Sequence, residues 1–169
     1  LQICETKNLN FDFVTDETYF QILGKYLQRN TLKVLRKSLI SESNRINIIP
    51  WSPDNLVASA KRSVIGMIPI DLTIPMQRLK PENRLLIMWR LGVPCLTSSS
   101  PSYARVARQA GVNVCCDTNV IWLENFQKLL GDPAFALQEV LRGQAYVRQN
   151  HNREVLLDKW DKVIESVVH

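Results

Sequence analysis

The sequence has 169 residues, of which 46% are hydrophobic and 22% are charged, and it contains only six Gly and eight Pro. This composition is typical of one globular domain and excludes collagen-like, mucin-like and largely disordered chains. The net charge of +5 at pH 7 favours acidic partners such as phosphates, but the basic residues are spread along the chain, so we expect no nucleic-acid partner.

Five short apolar runs predict β-strands, and amphipathic stretches between them predict helices. The runs are continuous rather than alternating, which is typical of parallel strands with helices on both faces of the sheet. Residues 1–6 are too few for periodicity to distinguish a helix end from a strand. The predicted strands are residues 11–15, 46–50, 64–70, 93–97 and 112–116, and the first two predicted helices are residues 17–27 and 31–39.

Three dipeptides predict the starts of further helices. Proline suits a first helical turn because its missing N–H would have no partner there, and a preceding serine can cap the free backbone donors. The three starts are Ser52-Pro53, Lys80-Pro81 and Ser100-Pro101, and the predicted helix ends are at Gly92, Gly111 and Gly131.

Three helices are predicted after the last strand, at residues 119–130, 133–149 and 153–168, so residues 119–169 form a C-terminal helical segment. The last helix carries one apolar stripe at helical spacing. The stripe packs either on another part of a larger protein or back on this domain. Its members are Val155, Leu156, Trp160, Val163, Ile164 and Val167.

The alternation of strands and helices predicts the α/β class, with a Rossmann-like doubly wound parallel sheet in a single domain over residues 1–169. In such a sheet the helix N-termini gather at the carboxyl ends of the strands, where free N–H groups and the helix dipole favour a phosphate. Helix starts of this kind also occur in α/β proteins that bind no phosphate.

No apolar stretch reaches the roughly 18 residues that a membrane-spanning helix needs, and the opening residues lack the features of a secretory signal. The four cysteines have no CxxC spacing, which favours buried free thiols in a reducing compartment. We therefore expect a cytoplasmic protein, or one peripheral to a membrane, with no metal site. The cysteines are Cys4, Cys95, Cys115 and Cys116.

Residues 64–103 contain an ordered series of short motifs. A strand ends at Ile68-Pro69, a helix starts at residues 80–84 (Lys-Pro-Glu-Asn-Arg) and ends at Leu91-Gly92, and a strand opens with Val93-Pro94 before a polar loop. This order resembles the C-terminal, donor-binding half of GT-B glycosyltransferases. Residues 46–51 look like the third strand of that family, whose following loop meets the nucleotide base, and residues 11–15 look like its second strand.

The resemblance implies one half of a GT-B fold that binds a nucleotide-diphospho-sugar donor, a UDP- or GDP-sugar, without a metal. It implies sugar transfer to a carbohydrate, lipid-linked or protein acceptor. In this family a central strand precedes the second strand, yet only ten residues precede Phe11 here. We therefore expect that an N-terminal half belonging to the same protein is missing, and that this chain alone is inactive.

Basic residues are the predicted diphosphate ligands. Lys80 and Arg84 would lie one turn apart on one helix face, where both can approach an anion at the helix N-terminus. The alternative is two solvated charges. By resemblance, Glu82, Asn83 and Tyr103 also belong to the donor site, but the pair of glutamates that many members carry is incomplete, because position 90 is Arg.

Other polar and aromatic residues complete the predicted donor site. Trp51 can stack on the base, or is a rim or core residue. Asp71 can contact the sugar, or caps the chain locally. Ser98, Ser99 and Ser100 can bind phosphate or sugar, or form an ordinary loop. Thr15 ends the second-strand motif and is included by resemblance.

The sequence nominates no catalytic residue. On the resemblance and the predicted donor-site residues, the leading hypothesis is the donor-binding half of a glycosyltransferase. The rival hypothesis is a non-catalytic doubly wound module that binds a nucleotide or a partner. The basic pair with its serine loop favours the first, since a pure interaction module has no need of anion chemistry there.

Overall fold

A computed structural model describes residues 9–21, 24–35 and 45–168. The protein belongs to the mixed α/β class, as predicted, and its chain divides into two compact units, Leu1–Arg62 and Ser63–His169. Among the predictions, those for residues 1–6, for Cys4 and for the end of the helix at residues 31–39 lie outside the described residues.

The first unit contains a parallel strand pair. Strands β1 (Phe11–Thr15) and β4 (Ile46–Pro50) have the predicted bounds and pair in register, from Phe11 opposite Ile46 to Thr15 opposite Pro50. Helix α2 (Pro53–Arg62) follows β4, and the Ser52 hydroxyl accepts the Asn55 N–H at 3.1 Å, which confirms the predicted serine cap.

The predicted helix at residues 17–27 is wrong. Strands β2 (Thr18–Gln21) and β3 (Gly24–Asn30) form an antiparallel pair there, with Thr18 opposite Asn30. The run Thr18, Tyr19, Phe20 has high strand propensity, and Gly24 would cost a helix about 1 kcal/mol. Helix α1 (Thr31–Leu35) begins at the predicted residue.

The second unit contains a three-stranded parallel sheet in the order β5–β6–β7. All three strands are shorter than predicted. Pro69 and Pro94 lack the N–H that a ladder requires, which accounts for the end of β5 and the start of β6. Strand β6 is buried along its whole length, as expected for a central strand. The strands are β5 (Gly66–Ile68), β6 (Cys95–Ser98) and β7 (Cys115–Cys116).

Six helices are described in the second unit. Gly92 and Gly111 follow helix ends, as predicted, and have left-handed backbone. Gly131 is instead the last helical residue, and the Asp132 carboxylate caps the next helix by accepting the Phe135 N–H. The bounds of the six helices are α3 (Pro75–Arg78), α4 (Asn83–Arg90), α5 (Pro101–Ala110), α6 (Asn119–Gly131), α7 (Pro133–Asn150) and α8 (Arg153–Val168).

The core of the second unit lies where α4, α5 and α7 cover the sheet. Trp89 is 1% exposed and packs directly on Gly143 of α7, with the Tyr146 ring edge-on to its indole at 6.2 Å. Because residue 143 has no side chain, α7 can approach the indole closely. This contact holds α7 against α4.

Helix α8 does not bury its apolar stripe in the described structure. Five of its six members are exposed, and Leu157 adds to the same open apolar surface. The alternative of packing back on the sheet is therefore wrong for these residues. The exposed fractions run from 41% to 79% for Leu156, Trp160, Val163, Ile164 and Val167.

Two small parallel sheets confirm the α/β class, while a single doubly wound sheet stays a prediction. In the described ranges, no helix is both long enough and apolar enough to cross a membrane.

Candidate functional site

Side chains at the carboxyl ends of β5 and β6 hold the two strands together. The Ile70 N–H donates to the Ser98 Oγ at 2.8 Å, and the Thr97 hydroxyl donates to the Ile68 carbonyl at 3.3 Å. Ser98 is only 7% exposed. Its hydroxyl therefore accepts a structural hydrogen bond, and the chain that follows each strand starts from the same end of the sheet.

Asp71 follows β5 at this end and is exposed. Its Oδ1 accepts the Thr73 hydroxyl at 2.6 Å and the Thr73 N–H at 3.0 Å, and these hydrogen bonds lower the pKa of the Asp71 carboxyl. Asp71 is therefore ionised at neutral pH. The alternative prediction, that Asp71 caps the chain locally, is confirmed by these hydrogen bonds. A contact between Asp71 and a sugar stays a prediction.

Lys80 does not lie on the helix that carries Arg84. Helix α4 begins at Asn83 and not at Pro81, so residues 79–82 form a linker between α3 and α4. The prediction that Lys80 and Arg84 share one helix face is therefore wrong. The Ser102 hydroxyl donates to the Lys80 carbonyl at 2.6 Å, which places this linker beside the start of α5. Lys80, Asn83 and Arg84 are exposed.

The carboxylate of Glu82 already has a cationic partner. Its Oε1 lies 2.8 Å from an Arg105 guanidinium nitrogen, and the Glu82 side chain is only 13% exposed. Arg105 projects from the second turn of α5, 23 residues along the chain. No spacing rule pairs these two residues, so this ion pair was not predictable from the sequence. The ion pair adds Arg105 to the charged residues around the linker, which are Lys80, Glu82 and Arg84.

The N-terminus of α5 has no side-chain cap in the described structure. Ser100 is the N-cap residue and is 0% exposed, yet its hydroxyl lies 3.5 Å from the Ser102 hydroxyl and accepts no backbone N–H. The predicted cap at Ser100 is therefore wrong. Among the residues that the structure describes, no side-chain oxygen occupies the backbone N–H groups of the first turn of α5, so these groups and the positive end of the helix dipole favour an anion there.

Ser99 and Tyr103 face inward from this region. The Ser99 hydroxyl lies beside the Cys115 thiol, whose pKa is raised to about 11 by burial. The Tyr103 ring is 1% exposed, and burial raises its pKa against the opposing charge of nearby Arg84. Tyr103 therefore belongs to the core, and a direct contact with donor stays a prediction.

Thr15 and Trp51 lie together in the first unit. The backbone N–H of Trp51 donates to the Thr15 carbonyl at 2.8 Å, at the carboxyl ends of β1 and β4. Trp51 is 55% exposed. An exposed indole at a strand end can stack on a planar ring. The core alternative for Trp51 is wrong.

The segments that carry the predicted residues of the second unit lie beside one another at the carboxyl end of its sheet. Hydrogen bonds and one ion pair join the end of β5, the end of β6, the linker before α4 and the first two turns of α5. In the described ranges no three side chains are placed to hold a metal ion. The charged members are Asp71, Lys80, Glu82, Arg84 and Arg105.

No protein-family model, curated protein sequence or solved structure matches this chain.

Proposed function

We propose that this chain is the donor-binding half of a GT-B glycosyltransferase and binds a nucleotide-diphospho-sugar. The observation that carries the proposal is the uncapped N-terminus of α5, with exposed Lys80 and Arg84 close to it, at the carboxyl end of a parallel sheet. Because Glu82 is neutralised by Arg105, the cluster keeps an excess of positive charge. A diphosphate is the ligand that this chemistry favours.

The chemical role of such a cluster is to stabilise a leaving group. When the bond between the sugar and the diphosphate breaks, negative charge grows on the diphosphate oxygens. Fixed cations and backbone N–H groups offset that charge without a metal. The acceptor in this proposal is a carbohydrate, a lipid-linked glycan or a protein.

The strand order of each unit supports the prediction of a doubly wound sheet. A doubly wound sheet has the order 3-2-1-4-5-6, which contains the neighbours 3-2 and 4-5-6. The first unit pairs its parallel strands in the order of 3-2, and the second unit in the order of 4-5-6. Ligands of such folds bind at the carboxyl ends of the strands, where Thr15 and Trp51 lie in one unit and the cationic cluster in the other.

The second candidate function is a non-catalytic module that binds a partner. The exposed apolar face of α8 favours it, since contiguous apolar surface of this kind marks interaction sites. A thermal-shift screen against UDP-, GDP-, CMP- and ADP-sugars separates the two. A donor at about 100 times its Kd stabilises the fold by about 2.7 kcal/mol. Stabilisation by none of them, in a folded sample, favours the partner-binding module.

Arg84→Ala tests the cationic cluster directly. We expect nucleotide-sugar binding to weaken by about 1.5–3 kcal/mol, the usual contribution of a hydrogen bond to a charged group, while the exposed position leaves folding unchanged. Isothermal titration calorimetry measures this. Arg148→Ala removes another exposed arginine, on α7, and should leave affinity unchanged.

Lys80→Ala should weaken binding likewise, and the double variant should show a coupling energy because both cations act on one diphosphate. Equal affinity of Arg84→Ala and the parent protein would remove Arg84 from the site.

A further inference from the structure

The segment between β5 and α4 exposes two large apolar side chains on one face. Met76 is 70% exposed and Leu79 is 77% exposed. They are three residues apart on α3 and its C-terminal continuation, so their side chains project in the same direction. Ile74, at 37% exposed, lies just before them.

The backbone of this segment is held at both ends, so the exposure is built into the fold. Asp71 and Thr73 close the turn at the start, and the Asp71 N–H donates to the Gln77 Oε1 at 3.3 Å. The partly buried Leu72 packs against the core. At the far end the Lys80 carbonyl accepts the Ser102 hydroxyl at 2.6 Å. Gln77 faces inward while Met76 and Leu79 face outward.

Two cations flank the apolar tips. Arg78 and Lys80 stand on either side of Leu79 and are exposed, and neither takes part in the ion pairs found among the described residues. Residues 74–80 contain no acidic side chain. The neighbouring carboxylates are Asp71, which is tied to Thr73, and Glu82, which is neutralised by Arg105.

This pattern fits the interface of a bilayer that contains anionic lipids. Apolar tips reach the boundary of the acyl chains, while Arg and Lys at their rim bind the head groups. The open face of α8 differs, because that helix carries three basic and four acidic residues and would be repelled by anionic lipid. The charges therefore distinguish the two apolar surfaces.

We propose that residues 74–80 form a membrane-docking loop that inserts Met76 and Leu79 into an anionic bilayer surface, with Arg78 and Lys80 bound to its head groups. Because Lys80 is also a proposed ligand of the donor, the inference is tested at Met76, Arg78 and Leu79, which have no part in the proposed donor site. It places the cationic cluster at the start of α5 near the lipid surface, since Ser102 links that helix to Lys80.

Vesicle co-sedimentation tests the proposal with the 169-residue chain. Large unilamellar vesicles of 30% phosphatidylserine in phosphatidylcholine should pellet the protein at 0.1 M salt, and pure phosphatidylcholine should pellet much less. Arg78→Gln should lower the partition coefficient about fivefold, the usual contribution of one cation near an anionic surface. Met76→Ser/Leu79→Ser should lower it at least tenfold. The matched control Ile164→Ser/Val167→Ser, on the exposed face of α8, should bind like the parent protein.

A second variant, Leu79→Trp, reports insertion itself. Brominated lipids quench indole fluorescence only at the depth of the acyl chains, so this variant should be quenched more than the parent protein. Failure of the parent protein to pellet with anionic vesicles would overturn the proposal. So would binding that survives the Met76/Leu79 change in protein with a native circular-dichroism spectrum, or binding that is lost in the α8 control.

Discussion

The absence of a side chain at position 143 fixes how closely α7 approaches α4. A Cβ at this position would overlap the indole of Trp89, which is almost fully buried. We expect Gly143→Ala to destabilise the protein by roughly 1–3 kcal/mol, the usual cost of overpacking a core. Urea unfolding followed by circular dichroism measures the change.

Gly131→Ala is the control, because Gly131 is also helical, as the last residue of α6, but a Cβ there meets nothing within 4 Å. Alanine favours helix over glycine, so this variant should be neutral or slightly more stable. If both variants were equally stable, Trp89 would have to move aside without cost, and the close packing of α7 on α4 would be incorrect.

Individual residue types were predictable at this scale, but their partners were not. Ser52 caps a helix because its hydroxyl acts on a backbone N–H three residues away. Ser98 and Glu82 bind partners 28 and 23 residues away, and no local rule selects those partners. The sequence therefore identified polar residues at the strand ends correctly, while the hydrogen bonds that occupy them depend on the folded chain.

At the scale of elements, two tryptophans on helices should differ strongly in their contribution to stability. Trp89→Ala on α4 empties a buried site and should cost about 3–5 kcal/mol. Trp160→Ala on α8 removes a ring that is 65% exposed and should change stability by less than about 0.5 kcal/mol. Chemical denaturation of both variants checks this. A large loss for Trp160→Ala would mean that α8 packs on the rest of the chain in solution.

The elements that the sequence predicted well are those with strong signals at both ends. The last helix has the predicted bounds, with the Val155 N–H bonded to the Asn152 Oδ1 at its start. The region at residues 17–27 has apolar residues that fit both periods, and strand pairing decided between them. In a short segment, the spacing of apolar residues does not by itself distinguish helix from strand, and the segment of the folded chain that pairs with it decides.

At the scale of the whole molecule, the parallel strands of the two units differ in burial. Every residue of β6 in the second unit is buried, whereas none of the residues of β1 and β4 in the first unit is fully buried. We expect the first unit to open at lower urea concentration, because strands with few buried contacts open more easily. Hydrogen exchange measured by mass spectrometry should show faster exchange in β1 and β4 than in β6. Equal protection of these strands, lost in one coincident transition, would contradict this.

The α/β class was predictable from the order of apolar runs, because that order is a property of the sequence. The division into two units was not, since it depends on which strands find neighbours. No local pattern in the segments at residues 46–50 and 64–70 distinguishes strands of one sheet from strands of two.

Strand β5 forms one edge of its sheet, with β6 as its neighbour. During synthesis β5 leaves the ribosome 29 residues before the start of β6. At cellular rates of elongation this interval is roughly 1.5–6 s. For those seconds the apolar segment around Ile68 has no partner strand, and it is a target for chaperones that hold nascent chains. We therefore expect the yield of this protein in the cell to depend on the speed of translation and on chaperone supply as well as on the stability of the finished fold.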